Sequence, residues 1–336
     1  MNKTHSSTPH VTSRTSAAPH RPMPDQHDDA TSPPDNRNNR ALVLAGGGAA
    51  GNAWEIGVIA GLFDAGVDVA TADLIVGTSA GSTAAAQITS GIAVPELYAA
   101  IVAEAPRQQA GDAGSDRGRA PSTSAARYIE WSNDIIASSR DASDMRRRIG
   151  AAALEMDAES GFDGSRWRDI VAARIGMKDW PEQRVLITAV DARTGEPVVF
   201  DRYGGIELVD AVAASTSPLT PYPIGDNRYI DGGYRRNENA DLAAGYGHVL
   251  VLAPFGGRSR MRPEWGMDLA TQVDELLAAG STVATVFPDG RSGDAFDARA
   301  VDPSTRPQAA SGGFDQGRAL AHTLSEAWRE TEPEDF

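Results

Sequence analysis

The segment Gly77–Gly81, with the sequence GTSAG, follows directly on the apolar run Leu74–Val76. A short strand that leads into Gly-x-Ser-x-Gly is typical of a nucleophile elbow, a sharp turn from strand to helix that presents the serine. Glycines on both sides remove the Cβ atoms that would collide where strand and helix cross. The helix predicted after Ser79 favours negative charge at its N-terminus. The pattern indicates a serine nucleophile, although an ordinary Gly/Ser turn fits five residues equally well.

A Gly-rich loop, Gly46–Gly51 with the sequence GGGAAG, lies between a predicted strand and a predicted helix. It fits the Gly-x-Gly-x-x-Gly fingerprint of dinucleotide-binding proteins and also an oxyanion-binding loop. Both interpretations need backbone N–H groups that point at an anion. The acidic residue expected about twenty residues further on in a dinucleotide site has only Asp68 as a loose candidate. The serine at position 79 favours the oxyanion interpretation.

The third motif is Asp231-Gly232-Gly233, which follows the predicted strand Arg228–Ile230. A carboxylate at the end of a short strand and backed by two glycines can approach another side chain closely. Asp-Gly is also a common β-turn dipeptide, and the motif alone favours that simpler interpretation.

A serine nucleophile needs a base, and histidine is the usual one. Beyond the first 39 residues the chain has only His248, which opens a predicted strand, and His322, which lies in a predicted helix. Neither belongs to a loop with the character of a motif. We therefore predict that Asp231 acts directly on Ser79.

Strands alternating with helices must position these motifs, which predicts a largely parallel sheet covered on both faces. Strands are predicted at 41–45, 74–77, 184–190, 197–200, 228–230, 248–253 and 282–287. Helices are predicted at 50–65, 80–90, 95–104, 125–157, 206–215, 265–279 and 316–330. The polar stretches 108–124 and 291–313 are predicted as loops, and the first is either a lid over the site or an ordinary mobile loop.

Composition narrows the class of protein. The 336 residues carry a net charge of −15, which argues against binding nucleic acid and against tight docking on anionic lipid surfaces. The chain has no cysteine, which excludes disulfides, Cys-ligated zinc and thiol chemistry. Neither a membrane-spanning run nor a secretory signal is recognisable, so we expect a cytoplasmic protein.

Residues 1–39 are polar and poor in large apolar side chains, and four of the six histidines lie there. We expect a disordered tail, because such a segment cannot offset its ordering entropy by burial. Residues 40–330 are expected to form a single domain.

Together the three motifs resemble the patatin-like phospholipase family. They occur in the family's order, and the similarity extends over roughly residues 40–325. Further support comes from three other places in the chain: Asn52–Val58 after the Gly-rich loop, Ala213–Pro221 before the Asp-Gly motif, and Asn237 after it.

The resemblance implies a three-layer α/β/α sandwich and a Ser-Asp dyad that hydrolyses acyl esters of lipids. Ser79 matches the nucleophile and Asp231 the base. The residues that match the oxyanion hole are Gly46, Gly47, Gly48 and Ala80. The glycines that match the motifs are Gly51, Gly77, Gly81, Gly232 and Gly233. The implied partner is a lipid or other ester, with transient contact to a membrane surface, and we expect neither a cofactor nor a metal.

The Gly-rich loop departs from the family in one respect. Many members carry Arg or Lys in this loop, where the present chain has Ala49-Ala50. Without that cation, neutral esters or esters of short acyl chains are as plausible as phospholipids.

Three alternatives remain at this point. The same dyad could transfer the acyl group to an acceptor other than water, the fold could serve a non-catalytic binding protein, or the Gly-rich loop could bind a nucleotide. Product analysis with competing alcohols separates the first alternative. Labelling of Ser79 by a fluorophosphonate tests the second, and the effect of NAD(P) on the melting temperature tests the third.

Overall fold

Eight strands form the centre of the computed structural model, which describes residues 39–104, 122–160, 163–217, 220–296 and 300–328. They are β1 (Arg40–Leu44), β2 (Leu74–Gly77), β3 (Arg184–Asp191), β4 (Pro197–Phe200), β5 (Tyr222–Ile224), β6 (Asn227–Asp231), β7 (His248–Leu252) and β8 (Thr282–Val286). Hydrogen-bonded strands follow one another in the path β5-β6-β3-β2-β1-β7-β8, and β4 also pairs with β3. The strands β3, β2, β1, β7 and β8 run parallel to one another. Strands β4 and β6 pair with β3 in the antiparallel direction, and β5 pairs with β6 in the same way.

Helices cover both faces of this sheet. They are α1 (Gly48–Asp64), α2 (Ala80–Ile88), α3 (Val94–Val102), α4 (Ser122–Ser138), α5 (Ala142–Ser160), α6 (Ser165–Ile175), α7 (Leu208–Ser215), α8 (Leu269–Ala278) and α9 (Arg306–Trp328). Alternate strand residues face opposite ways. Leu42 and Ile75 pack in the core that contains α1, α2, α7 and α9, whereas Val43 and Val76 pack in the core that contains α8. The predicted α/β/α sandwich with a mostly parallel sheet is confirmed.

Helix α1 is buried on all sides from Ala50 to Leu62. Its glycines allow α9 to approach at backbone distance. A Cβ atom on Gly57 would overlap the carbonyl of Ala310, and one on Gly61 would overlap that of Phe314. This close packing fixes the helix that begins in the Gly-rich loop.

Two predictions of local structure are wrong, and two elements were not predicted. The helix expected over 125–157 is divided at Ser139–Asp141 into α4 and α5. The stretch 291–313, expected to be a loop, contains the start of α9 at Arg306, because small residues rather than large apolar ones make the contact with α1 there. Helix α6 and strand β5 were not predicted, since α6 buries only Val171 and Ile175 and β5 has only three residues.

Residues 1–38 of the predicted tail and residues 108–121 of the predicted loop 108–124 lie outside the described residues, and residues 122–124 open α4. In the part of the chain that the structure describes, no helix has the length and hydropathy needed to cross a membrane. The single domain, the cytoplasmic location and the transient membrane contact stay predictions.

Candidate active site

Two strand ends meet along one edge of β3. Strand β3 pairs with β2 as far as Ile187 and with β6 from Ala189 onward. Strand β4 pairs with residues 187–190 of β3 on the opposite edge, so β2 and β6 share one edge. Strand β2 runs parallel to β3 and β6 antiparallel to it, so their C-terminal ends point toward each other. Ser79 follows the end of β2, and Asp231 is the last residue of β6. The register of β3 therefore brings together two residues that are remote in the sequence.

Ser79 occupies a strained turn between β2 and α2, with φ 52° and ψ −119°. A positive φ in a residue other than glycine costs about 1–3 kcal/mol and needs support from its surroundings. The glycines on either side leave no room for a side chain. A Cβ atom on Gly77 would lie 2.6 Å from the Cα of Ser82, and one on Gly81 would overlap the carbonyl of Leu44. The Ser79 N–H donates to the Oγ of buried Ser215 at 2.9 Å, which stabilises this turn.

The Ser79 hydroxyl donates to Oδ2 of Asp231 at 2.7 Å. The other carboxylate oxygen, Oδ1, accepts the N–H of Gly233 at 2.8 Å. Burial raises the pKa of Asp231 to about 6, although these two hydrogen bonds and the positive charge of Arg260 lower it. Gly232 allows the strand end to approach β3, because a Cβ atom there would overlap the carbonyl of Thr188. At neutral pH the carboxylate is ionised and can accept the serine proton.

The Gly-rich loop passes directly beside Ser79. A Cβ atom on Gly46 would lie 3.5 Å from the Cβ of Ser79 and 2.6 Å from Oδ1 of Asn237. Asn237 holds the loop by two hydrogen bonds. Its backbone carbonyl accepts the Gly46 N–H at 3.1 Å, and its side-chain Nδ2 donates to the Gly46 carbonyl at 3.3 Å. The expectation that Gly46 donates to an oxyanion needs correction, because its N–H already has a partner.

The N–H groups of Gly47, Gly48 and Ala80 make no hydrogen bond to any described residue. Gly47 caps the N-terminus of α1, Gly48 has the positive φ of 63° that favours glycine, and Ala80 opens α2. Gly51 closes the first turn of α1 with an N–H bond to the Gly47 carbonyl at 2.9 Å. Helix N-termini carry partial positive charge, so this arrangement can stabilise an anion beside the serine.

A sequence model described as patatin-like phospholipase matches residues 42–244, more than half of the chain. The chain belongs to the patatin-like phospholipase family. The predicted resemblance is confirmed, and family membership implies lipid acyl hydrolase activity.

Two solved structures similar to this chain are VipD from Legionella pneumophila and the type III effector protein ExoU. VipD is 15% identical with a TM-score of 0.39, over 85% of this chain and 67% of VipD. ExoU is 17% identical with a TM-score of 0.28, over 85% of this chain and 54% of ExoU, so the match spans about half of that protein. Among curated protein sequences none matches the chain.

A buried polar cluster behind the dyad was not predicted. Asn239, with φ 55°, directs its Nδ2 to the hydroxyls of Thr78 at 2.9 Å and Thr188 at 3.2 Å. The two hydroxyls are 3.0 Å apart, and the Asn239 carbonyl oxygen accepts a guanidinium N–H of Arg235 at 2.6 Å. The cluster joins β2, β3 and the segment after Asp231. Its only signal in the sequence was a run of polar residues after the Asp-Gly motif.

The two histidines of the described chain lie away from Ser79. His248 pairs with Arg40 at the start of β1, the end of the sheet opposite to the Gly-rich loop. Burial and the charge of Arg40 lower the pKa of His248. His322 is exposed on α9. Within the described residues no group of three or more His, Cys, Asp or Glu side chains could hold a metal ion.

Proposed function

We propose that this protein is a serine acyl hydrolase of carboxylic esters of lipids, with Ser79 as nucleophile and Asp231 as general base. The observation that supports this assignment most strongly is the 2.7 Å hydrogen bond from the Ser79 hydroxyl to the Asp231 carboxylate. Histidine is the usual base for serine, but in this protein neither His248 nor His322 of the described chain is near Ser79.

In the proposed acylation step, Ser79 Oγ attacks the ester carbonyl and its proton passes to Asp231. The tetrahedral intermediate then expels the alcohol, which takes that proton, and leaves an acyl-serine. Water attacks the acyl-serine after giving a proton to Asp231. Collapse of the second intermediate returns the proton to Ser79 and releases the fatty acid. One acyl–oxygen bond is broken and one water is consumed in each cycle.

The negative oxygen of both intermediates would be stabilised by the N–H groups of Gly47, Gly48 and Ala80. They are proposed because they lie at the starts of α1 and α2 beside Ser79 and have no described partner. Loss of one such donor typically lowers kcat about 100- to 1000-fold. Gly46 has a different proposed role, since its two hydrogen bonds with Asn237 hold the loop beside Ser79.

Hydrolysis of p-nitrophenyl esters of graded chain length, together with a panel of phospholipids, tests this function. We expect Ser79→Ala and Asp231→Asn each to lower kcat/KM by about 1000-fold or more. His248→Gln is the matched control and should retain nearly full activity, because His248 lies at the opposite end of the sheet. Ester hydrolysis that survives Ser79→Ala would refute the assignment.

A further inference from the structure

Residues 300–306 lie against the Gly-rich loop, although the family match ends at residue 244. The carbonyl of Ala300 accepts the N–H of Ala50 at 2.9 Å. A Cβ atom on Gly48 would lie 2.8 Å from that carbonyl oxygen and 3.3 Å from Cγ1 of Val301. Segment 300–306 therefore packs directly on a residue that is proposed to donate to the oxyanion.

Segment 300–306 is held on α1 at both of its ends. At its start, Ala300 accepts a hydrogen bond from the first turn of α1. At its end, Arg306 donates from Nη1 to Oδ1 of buried Asn52 at 2.7 Å and from Nε to the carboxylate of Glu104 at 3.0 Å. These contacts fix the position of Val301 relative to the Gly-rich loop.

The contact with Gly48 places Val301 near the proposed nucleophile. A Cβ atom on Gly46 would lie 3.5 Å from the Cβ of Ser79, and Gly48 is two residues further along the same loop. Adding one carbon–carbon bond to the 3.3 Å contact puts a methyl group of Val301 within about 5 Å of the Gly48 Cα. An ester oxygen bound by the Gly48 N–H lies about 3 Å from that nitrogen. The carbon chains of such an ester begin close to Val301.

Val301 leaves most of its apolar surface open to solvent, since the residue is 61% exposed. A single exposed valine is ordinary on a protein surface, so exposure alone carries no meaning. Contact with a proposed oxyanion donor is what distinguishes Val301. A carbon chain that covers the side chain removes apolar surface from water, which favours binding in proportion to the area buried.

We propose that Val301 is a specificity-determining residue that contacts a carbon chain of the ester beside the oxyanion donors. The inference rests on the proposed function, because it concerns the substrate of the same dyad. Longer chains cover Val301, whereas a chain as short as acetyl does not reach it. Esters with longer chains are therefore hydrolysed with a higher kcat/KM than short ones, and part of this preference depends on Val301.

The test measures kcat/KM for two pairs of esters, each kept below its critical micelle concentration. The first pair, p-nitrophenyl acetate and p-nitrophenyl octanoate, differs only in the acyl chain. The second pair, methyl acetate and octyl acetate, differs only in the alcohol. The measured quantity is the ratio of kcat/KM for the longer ester to that for the shorter one within each pair. Docking on a lipid surface does not enter this ratio, because the esters are monomeric.

We expect Val301→Ser to lower the ratio about threefold or more in at least one pair, because a hydroxyl replaces two methyl groups that contact the chain. The shorter ester should keep nearly the kcat/KM of the parent protein. Val301→Leu should keep the parent ratio, since it retains an apolar side chain. Ile92→Ser is the matched control, because Ile92 is 42% exposed and follows the end of α2 that is remote from Ser79.

A fall in the first pair assigns the contact to the acyl chain, and a fall in the second pair assigns it to the alcohol. Both results support the proposal. An unchanged ratio in both pairs would overturn it, as would an equal fall in Ile92→Ser or in Val301→Leu. If Val301→Ser lowers kcat/KM equally for longer and shorter esters, the residue serves only the packing of the loop, and the proposal fails.

Failure of the proposed function gives a different result. In that case the parent protein hydrolyses none of the four esters, or it hydrolyses them without Ser79. Hydrolysis that needs Ser79 but has a chain-length preference independent of Val301 rejects the specificity role alone.

Discussion

At the scale of single residues, the chemistry depends on the environment of one carboxyl group. Asp231 is held between the Ser79 hydroxyl and the Gly233 N–H, and burial raises its pKa to about 6. A higher pKa makes the carboxylate a stronger base, yet the group remains mostly ionised at neutral pH. The same burial that makes Asp231 useful as a base also disfavours its charged form.

The pH dependence of hydrolysis follows from this pKa. Only ionised Asp231 can accept the serine proton, so kcat/KM should fall tenfold per pH unit below about pH 6 and be constant above it. A pH profile of kcat/KM on a neutral ester measures this limb. His248→Gln should leave the profile unchanged. If kcat/KM begins to fall only near pH 4, or if His248→Gln changes the pH at which it falls, the assignment of the base would be contradicted.

The sequence predicted the hydroxyl and the carboxylate but not the groups that position them. Ser79 and Asp231 lie in short motifs in which glycine is needed for steric reasons, and this makes the motifs recognisable in the sequence. Ser215, Asn239 and Arg260 have no such local signal. Their roles depend on which segments the register of the strands brings together, and no local pattern specifies that register.

At the scale of elements, the site exists because two strands end against each other on the same edge of β3. The apolar runs of β1 and β2 and the parallel sheet were predictable from hydrophobic patterns. The meeting of β2 and β6 was not, since it requires that an antiparallel strand follow a parallel one along a single edge. The buried contacts of Asn239 with Thr78 and Thr188 hold this junction.

Removal of the Asn239 side chain should loosen the junction. Asn239→Ala removes one hydrogen-bond partner from each of the two buried hydroxyls and from the Arg235 guanidinium, and it places alanine at a positive φ. We expect a loss of about 2–4 kcal/mol in the free energy of unfolding, measured by chemical denaturation. Asn227→Ala is the control, because Asn227 is exposed at the start of β6 and should change stability by less than about 0.5 kcal/mol. Equal stability of the two variants would contradict this role.

At the scale of the whole molecule, the family match ends at residue 244, but the packing of the site continues beyond it. Strand β7 completes the sheet beside β1, Pro254 packs against Gly47, and α9 covers α1. The start of α9 was not predicted, because its contact surface consists of small residues that give no hydrophobic periodicity. Backbone contact between α1 and α9 holds the Gly-rich loop from behind.

A single added methyl group should disturb this packing. In Gly61→Ala the new Cβ atom would overlap the carbonyl of Phe314, and we expect a loss of about 1–3 kcal/mol in the free energy of unfolding. Gly290→Ala is the matched control, since a Cβ atom there meets no described atom within 4 Å. Thermal and chemical unfolding of both variants measure the difference. A Gly61→Ala protein as stable as the parent would show that the two helices do not need this approach.

The most direct test of the central claim is covalent labelling of the folded protein with a fluorophosphonate, followed by peptide mass spectrometry. We expect one rapidly formed adduct, on Ser79, and at pH 8 a labelling rate at least about 100-fold lower in Asp231→Asn. An adduct on a different serine, or labelling of Ser79 at an unchanged rate without the Asp231 carboxylate, would contradict the proposed dyad.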